Sequence, residues 1–276
     1  MVKRNTLNRV REHYDFVLKH YNSNTDCVFG VFLVGSQNYG LDDENSDVDT
    51  RAVVLPTLYE LATNKPPVST TLMFPVEGKD PEHVTVVDFR LWCHQLMKGN
   101  VNTLETLFTP YRVVNPKYYT VMNELCVYKE DFTHMNAAKT LSAAFGLFYN
   151  KLKYTYRETE DTKALFEKFE YNPKCLMGAV RASYFVEDFL AGATFSKCMD
   201  CSNKKNELLE LKYGKLTLTQ ARKYTDFLEL RMNDLKEWFD GNKTPYLNPE
   251  REKELMKRLE NLQYKVVKLA LEEDFK

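Results

Sequence analysis

The chain has 276 residues, 43% of them hydrophobic and 28% charged, with a formal net charge of -1. That length can bury a core without covalent staples, and the near-neutral balance excludes an overall basic field of the kind that gathers nucleic acid non-specifically. Six scattered cysteines make no disulfide framework, so a reducing, cytoplasmic setting is expected.

The opening residues, MVKRNTLNRVREHYDF, carry charges throughout and do not read as a signal peptide. Within and beyond them, Leu7, Val10, Tyr14, Val17 and Leu18 recur at helical spacing and predict an amphipathic helix over 4–22. The run CVFGVFLV (27–34) is β-branched and aromatic, and reads as a buried strand ended by Gly35. With that glycine it is the most apolar run in the chain and is far too short to span a bilayer, so no membrane partner is expected. A short helix is expected to begin the segment 36–42. SDVDTRAVVL (46–55) reads as a second strand ended by Pro56, with a short helix, LYELAT, after it. VSTTLMF, inside a proline- and turn-rich stretch over 65–82, is a candidate extra strand. HVTVVDFRLW (83–92) is a third clear strand that passes into a helix through LWCHQLMKG. Beyond residue 101 the patterns are helical, over 102–108, 116–127, 132–157, 160–170, 173–190, 204–213, 217–239 and 249–272. The expected fold is therefore α+β: a small mixed-sheet domain over 1–115 and a mainly helical domain over 116–276, with a ligand cleft between them.

The densest chemistry lies in LVGSQNYGLDDENSDVDTR, Leu33 to Arg51. Side chains at i and i+2 share one face of a strand, so Asp47 and Asp49 present two carboxylates side by side. Such a pair repels unless it is solvated or holds a cation. Mg²⁺ takes oxygen ligands and keeps waters and substrate phosphates in its shell, and Mn²⁺ is the alternative ion. Gly35 lets backbone approach a ligand closely. A helix starting at Ser36 offers free N–H groups, a positive dipole end and a hydroxyl to phosphate. Gly40 permits a second tight bend. The acid-rich DDENSDVD lacks the spacing and the closing Glu of a Ca²⁺ loop.

These residues carry a resemblance. GSQNYGL followed by SDVD resembles the nucleotidyltransferases of the DNA polymerase beta superfamily, and GSQNYGLDDENSDVDTR as a whole resembles the predicted nucleotidyltransferase family described as the RNA repair pathway DNA polymerase beta family. KGNVNTLETLF (98–108) is similar to that family's Gly-Asn-x-Asn-x-x-Glu segment, through Asn100, Asn102 and Glu105. YNPKCLMGAVRASYFVEDFLAG (171–192) is similar to its Lys-and-Arg helix, through Lys174 and Arg181, and LLELKYGKLTLTQA (208–221) to its Lys-x-Gly segment. Met177-Gly178-Ala179 departs from the pattern, since the family's helix usually carries a His before the Arg. The resemblance implies a polymerase-beta-like domain followed by a helical domain that closes over an NTP. It implies transfer of a nucleoside monophosphate to an acceptor hydroxyl, the acceptor being RNA or a tRNA 3′ end. Asp47 and Asp49 would hold metal, and a third acidic residue is implied on a nearby strand. Asp88, in VTVVDF, is the candidate, as general base or metal ligand. Other members of the wider superfamily modify proteins or small molecules, and a non-catalytic nucleotide-binding or antitoxin-type partner is the competing class.

Ordinary readings stand beside several of these residues. Asp88 also suits the cap of the helix that follows it, and the Asn102–Glu105 spacing resembles a capping box. Lys174 and Arg181 lie seven apart on one helix face, which fits triphosphate binding or a solvated surface. Arg51 suits a carboxylate or a phosphate, and Tyr39 suits a base, a ribose or the core. Tyr149, Tyr154 and Tyr156 interleave with Lys151, Lys153 and Arg157; an amphipathic helix explains this better than a nucleic-acid surface. Cys198 and Cys201 form C-x-x-C without further zinc ligands at suitable spacing.

Overall fold

The structure, a computed structural model, describes residues 4–21, 25–43, 46–78 and 80–272. Asn22 of the expected first helix, and Glu44 and Asn45 of the acid-rich segment, lie outside the described residues.

The fold is α+β, with helices making up most of the chain beyond a five-stranded mixed sheet. In chain order come α1 (Arg4–His20), β1 (Val28–Leu33), β2 (Thr50–Val54), α2 (Leu58–Ala62), β3 (Ser69–Phe74), β4 (Glu82–Asp88), α3 (Phe89–Met97), α4 (Val101–Phe108) and β5 (Arg112–Val114). The helices α5 (Tyr119–Val127), α6 (Lys129–His134), α7 (Ala137–Thr155), α8 (Lys163–Phe169) and α9 (Pro173–Leu190) follow. The last are α10 (Phe195–Met199), α11 (Lys205–Lys212), α12 (Leu218–Gly241) and α13 (Pro249–Leu271).

The strands lie in the order β3-β4-β2-β1-β5. Only β2 and β4 run parallel; the other neighbours are antiparallel. A register shift between Val28 and Gly30 breaks the alternation of β1. Val28, Val31 and Leu33 then join Ala52, Val54, Val84 and Val86 on the face covered by Val10 and Val17 of α1. Phe29 and Phe32 meet Phe89 and Trp92 of α3, with ring centroids 4.9–6.4 Å apart. Each such fully buried aromatic contributes roughly 1.5–3 kcal/mol by leaving water. Gly30 is required where β1 and β5 approach: a Cβ there would lie 2.9 Å from the carbonyl oxygen of Val113.

The chain divides into two compact units. The first is Met1–Asn38, Asp42–Met135 and Pro249–Lys276; the second is Tyr39–Leu41 and Asn136–Asn248. The boundary expected at residue 115 therefore runs through the first unit. Periodicity identified α5 and α13 as helices but could not say what they pack on. In the first unit α13 lies on α3 and ties back through Arg251 to Asp131, at 2.6 Å, and Arg258 to Glu124, at 3.0 Å. The second unit is built on α7 against α9, with Phe145, Phe148, Phe185, Phe195 and Phe239 fully buried or nearly so. The helix expected over 132–157 is two helices, because Asn136 turns out of α6 and caps α7 by accepting from the Lys139 amide.

Candidate active site

Gly35, at φ +87°, ends β1 in a conformation that favours glycine. The helix expected to start at Ser36 is a single 3₁₀ turn, Ser36–Tyr39, so its dipole is that of one turn only. The Ser36 hydroxyl meets no partner among the described residues. Gly40 bends the chain again at φ +70°.

Glu105 supports this turn. It is buried on α4, and its Oε1 accepts from the Gly35 amide at 2.9 Å and from Nδ2 of Asn38 at 2.7 Å. Thr109 donates to Oδ1 of the same asparagine at 2.7 Å. The capping-box reading of Glu105 is thus replaced: α4 is capped by Asn100, whose side chain accepts from the Thr103 amide at 3.1 Å. Asn102 is exposed, and its carbonyl accepts from Arg51 at 3.0 Å. Arg51 also donates to the Thr103 hydroxyl at 2.9 Å, so it braces β2 against α4.

Asp47 and Asp49 precede β2 instead of lying within it. Asp47 is exposed. The Oδ1 atom of Asp49 is buried and has no hydrogen-bond partner, and lies 3.4 Å from Nδ1 of His83. Burial pushes the Asp49 carboxyl above the ordinary carboxylate range, against the lowering influence of His83, and Asp47 adds to the rise. A carboxylate oxygen out of water is costly unless hydrogen bonds or a cation complete it, and His83 faces this one without a hydrogen bond. Among the described residues no three His, Cys, Asp or Glu side chains converge as a metal group. Three surface concavities of about 260–560 Å³ are lined by other residues.

Asp88 is not the third carboxylate. Because β2 and β4 are parallel, with Thr50 beside Val84 and Val54 beside Asp88, Asp88 sits at the end of the sheet away from Asp49. Its Oδ1 caps α3 by accepting from the Arg90 amide at 2.7 Å, and its carboxylate pairs with the Arg90 guanidinium at 2.6 Å. The acidic residue at the Asp49 end is Glu82, which the sequence reading missed. Glu82 is buried and turned inward: Oε1 accepts from the Val48 amide at 3.2 Å, and Oε2 lies 3.0 Å from Nε2 of His13. Glu82 therefore holds the backbone between the two aspartates. His13 lies fully buried, with its Nδ1 2.9 Å from the Thr50 hydroxyl. A neutral ring donating from Nε2 to Glu82 and accepting at Nδ1 satisfies all three groups. A His spaced helically in an apolar pattern, and a Glu opening a strand, were the available signals, but neither names a partner.

Burial, and then Arg9, push the His13 pKa down to about 4. A lowered histidine contributes stability that is full above the ordinary value of 6.5 and is lost as the pH falls toward about 4. Glu82 and Asp49, raised by burial, act with the opposite sign, losing their contribution as the pH rises through the carboxylate range. The expected result is that His13→Gln flattens the wild-type decline in stability across this window, by up to about 1.4 kcal/mol per pH unit. Urea midpoints measured at several pH values would check this; identical slopes in the two proteins would show that His13 is not held neutral.

In the second unit, the guanidinium of Arg181 on α9 stacks on the Tyr39 ring, 3.8 Å from its centroid, and Tyr39 is buried. Lys212 donates to the Leu41 carbonyl at 3.1 Å. The structure thus brings Tyr39 and Arg181 together, while Lys174 stays exposed near the start of the same helix. Part of the Tyr and Lys interleaving at the end of α7 is helix packing: Tyr149 and Tyr156 bond Asn233 and Thr225 of α12 at 2.7 and 2.9 Å, and the Lys151 stem lies where a Cβ on Gly178 would fall, at 3.3 Å, while Lys153, Tyr154 and Arg157 are exposed. Cys198 and Cys201 are buried free thiols.

No protein-family model matches the chain, and no curated protein matches it. Among solved structures, the crystal structure of a nucleotidyltransferase-like protein from Exiguobacterium sibiricum 255-15 aligns over 94% of this chain and 76% of that one. The identity is 11% and the TM-score 0.32, an overlap too loose to bear on fold or activity.

Proposed function

We propose that this chain is a metal-dependent nucleotidyltransferase of the polymerase beta type, moving a nucleoside monophosphate from an NTP to the hydroxyl of an RNA or tRNA 3′ end. The observation that carries this reading is the buried Oδ1 of Asp49, which makes no hydrogen bond and has only the Nδ1 of His83 facing it at 3.4 Å, within electrostatic reach of the exposed Asp47 and after a Gly-Ser turn in the chain. Two carboxylates suit Mg²⁺ or Mn²⁺, because such ions commonly take one or two protein carboxylates and fill the shell with water and substrate phosphate.

In this reaction the acceptor oxygen bonds to the α-phosphorus as the bond to the β-bridging oxygen breaks. Pyrophosphate leaves with the electron pair, and the hydroxyl proton passes to a carboxylate of the pair or to water. A bound divalent ion would supply charge neutralisation for the triphosphate and the leaving pyrophosphate. Asp47 and Asp49 would hold it. The Ser36 hydroxyl and the leading amides of its turn would donate to phosphate oxygens. Glu105 and Asn38 keep that turn in shape, and Arg51 keeps β2 at α4. Within the second unit Arg181 acts through its stacking on Tyr39, and Lys174 is exposed on the same helix.

The test incubates purified protein with Mg²⁺ or Mn²⁺, each α-labelled NTP in turn and a pool of total RNA. The control carries Asp47→Ala and Asp49→Ala. Label on RNA only with the aspartates intact is the expected outcome. Label on protein would redirect the acceptor to a protein, and no transfer with no NTP binding would overturn the reading.

A further inference from the structure

Helix α12 carries a stripe that its own unit does not cover. Ala221, Thr225, Leu228, Met232 and Phe239 are buried, whereas Phe227, Leu230 and Trp238 are 66%, 62% and 51% exposed. With Arg231, Asp234 and Leu235 these three recur at i, i+3, i+4, i+7, i+8 and i+11, which places all six on one arc of the helix. Single exposed hydrophobic residues are ordinary, but a continuous stripe over three turns marks an interaction surface. Between this stripe and Glu187 and Leu190 of α9 lies a groove of about 560 Å³.

The stripe is complementary to itself. Let a two-fold axis cross α12 between Met232 and Asn233. An antiparallel copy then sets each residue against the one equally far on the other side of the axis. Phe227 meets Trp238 of the second copy, Leu230 meets Leu235, and Arg231 meets Asp234. Aromatic faces aromatic, leucine faces leucine and cation faces anion, twice over by symmetry. A parallel copy in register would instead oppose Arg231 to Arg231 and Asp234 to Asp234. The charges are placed for the antiparallel case. Arg231 is steadied by Glu187 at 2.9 Å, while Asp234 makes no ion pair within its own chain among the described residues. The second oxygen of Glu187, Oε1, is buried in the same groove without a hydrogen-bond partner.

We infer that the occupant of this face is a second copy of the same chain, docked antiparallel along α12 in a C2 dimer. The inference is independent of the transfer activity. Sedimentation velocity on the full chain over a range of concentrations tests it. The wild type is expected to sediment at twice the mass of the chain. Phe227→Ser, Asp234→Arg and Arg231→Asp are each expected to raise the dimer dissociation constant at least about tenfold. An equimolar mixture of the Asp234→Arg and Arg231→Asp proteins is expected to restore the dimer, because both ion pairs across the axis then join opposite charges. Circular dichroism establishes that the variants fold. Should Arg231→Asp misfold beside Glu187, the Phe227→Ser and Asp234→Arg results decide. A wild type that stays monomeric up to the order of 100 µM would overturn the inference. So would a dimer indifferent to both Phe227→Ser and Asp234→Arg.

Discussion

Replacing Asp49 with Asn is expected to abolish nucleotidyl transfer while leaving the fold as stable as before, or more so. The two effects have one cause. In the protein alone, Oδ1 of Asp49 is a buried carboxylate oxygen without a hydrogen bond, and burial disfavours its charged form. Asn removes the charge and keeps the shape, so the apo protein loses an unfavourable feature. The proposed ion, however, loses a ligand. Loss of several kcal/mol of charge stabilisation at the phosphates corresponds to roughly 10³-fold or more in rate. Thermal midpoints and single-turnover transfer would be read on the same preparations. With wild type, Mg²⁺ is also expected to raise the midpoint, and with Asp49→Asn this rise should shrink. A variant that transfers normally would remove Asp49 from the site. A variant that is inactive because it has unfolded would mean that the carboxylate serves the fold instead.

The second large effect belongs to Glu105. Glu105→Ala removes the acceptor of the Gly35 amide and one of the two acceptors of the Asn38 Nδ2, since both donate to one carboxylate oxygen at 2.9 and 2.7 Å while the Asn38 Nδ2 also donates to the Leu33 carbonyl at 2.9 Å. A buried donor left unpaired costs about 1–3 kcal/mol, and with both donors half-buried and Asn38 still bonded to Leu33 a loss of roughly 1–3 kcal/mol is the expectation. Glu105→Gln retains an acceptor oxygen and should lose less. Under the proposed function, the activity surviving in Glu105→Gln should exceed that in Glu105→Ala, and saturating NTP should rescue part of the alanine variant by ordering the turn. Denaturant midpoints and NTP titrations would show this. An alanine variant within about 0.5 kcal/mol of wild type would mean that the Gly-Ser turn does not depend on α4.

Much of this arrangement was legible in the sequence, and the part that was not has a physical pattern. β-Branched and aromatic apolar runs found β1 and β4, and the 3.6-residue period found α1, α9, α12 and α13 to within a few residues. Two short elements were lost, although α2 and β3 were found in LYELAT and VSTTLMF. β5 is three residues long and α10 is five, too short for any period to show. The second expected strand began at Ser46, but pairing starts at Thr50, because the backbone before it is held by Glu82 and Val34 rather than by a neighbouring strand. The same kind of limit misplaced Asp88. An acid in an apolar strand is visible in sequence; whether its strand runs parallel or antiparallel to the next is not, and that direction alone decides which end of the sheet the acid occupies. Glu105 illustrates the reverse case. The spacing suggested a local cap, and the structure gives it a partner seventy residues away.

Helix α4 touches both halves of the candidate site by different routes. Glu105 grips the Gly-Ser turn, and one helical turn earlier the Asn102 carbonyl and the Thr103 hydroxyl receive Arg51 from the strand that follows the aspartates. The helix is in effect a gauge block: it fixes the spacing between the part that would meet phosphate and the part that would meet metal. Neither half can drift without dragging the other, so disturbances on one side should register as altered behaviour on both. A single residue inserted between Thr103 and Glu105 would turn the carboxylate by about 100° about the helix axis and leave Arg51 where it is. Such a protein would keep every one of its proposed reactive groups and lose only the interval between them.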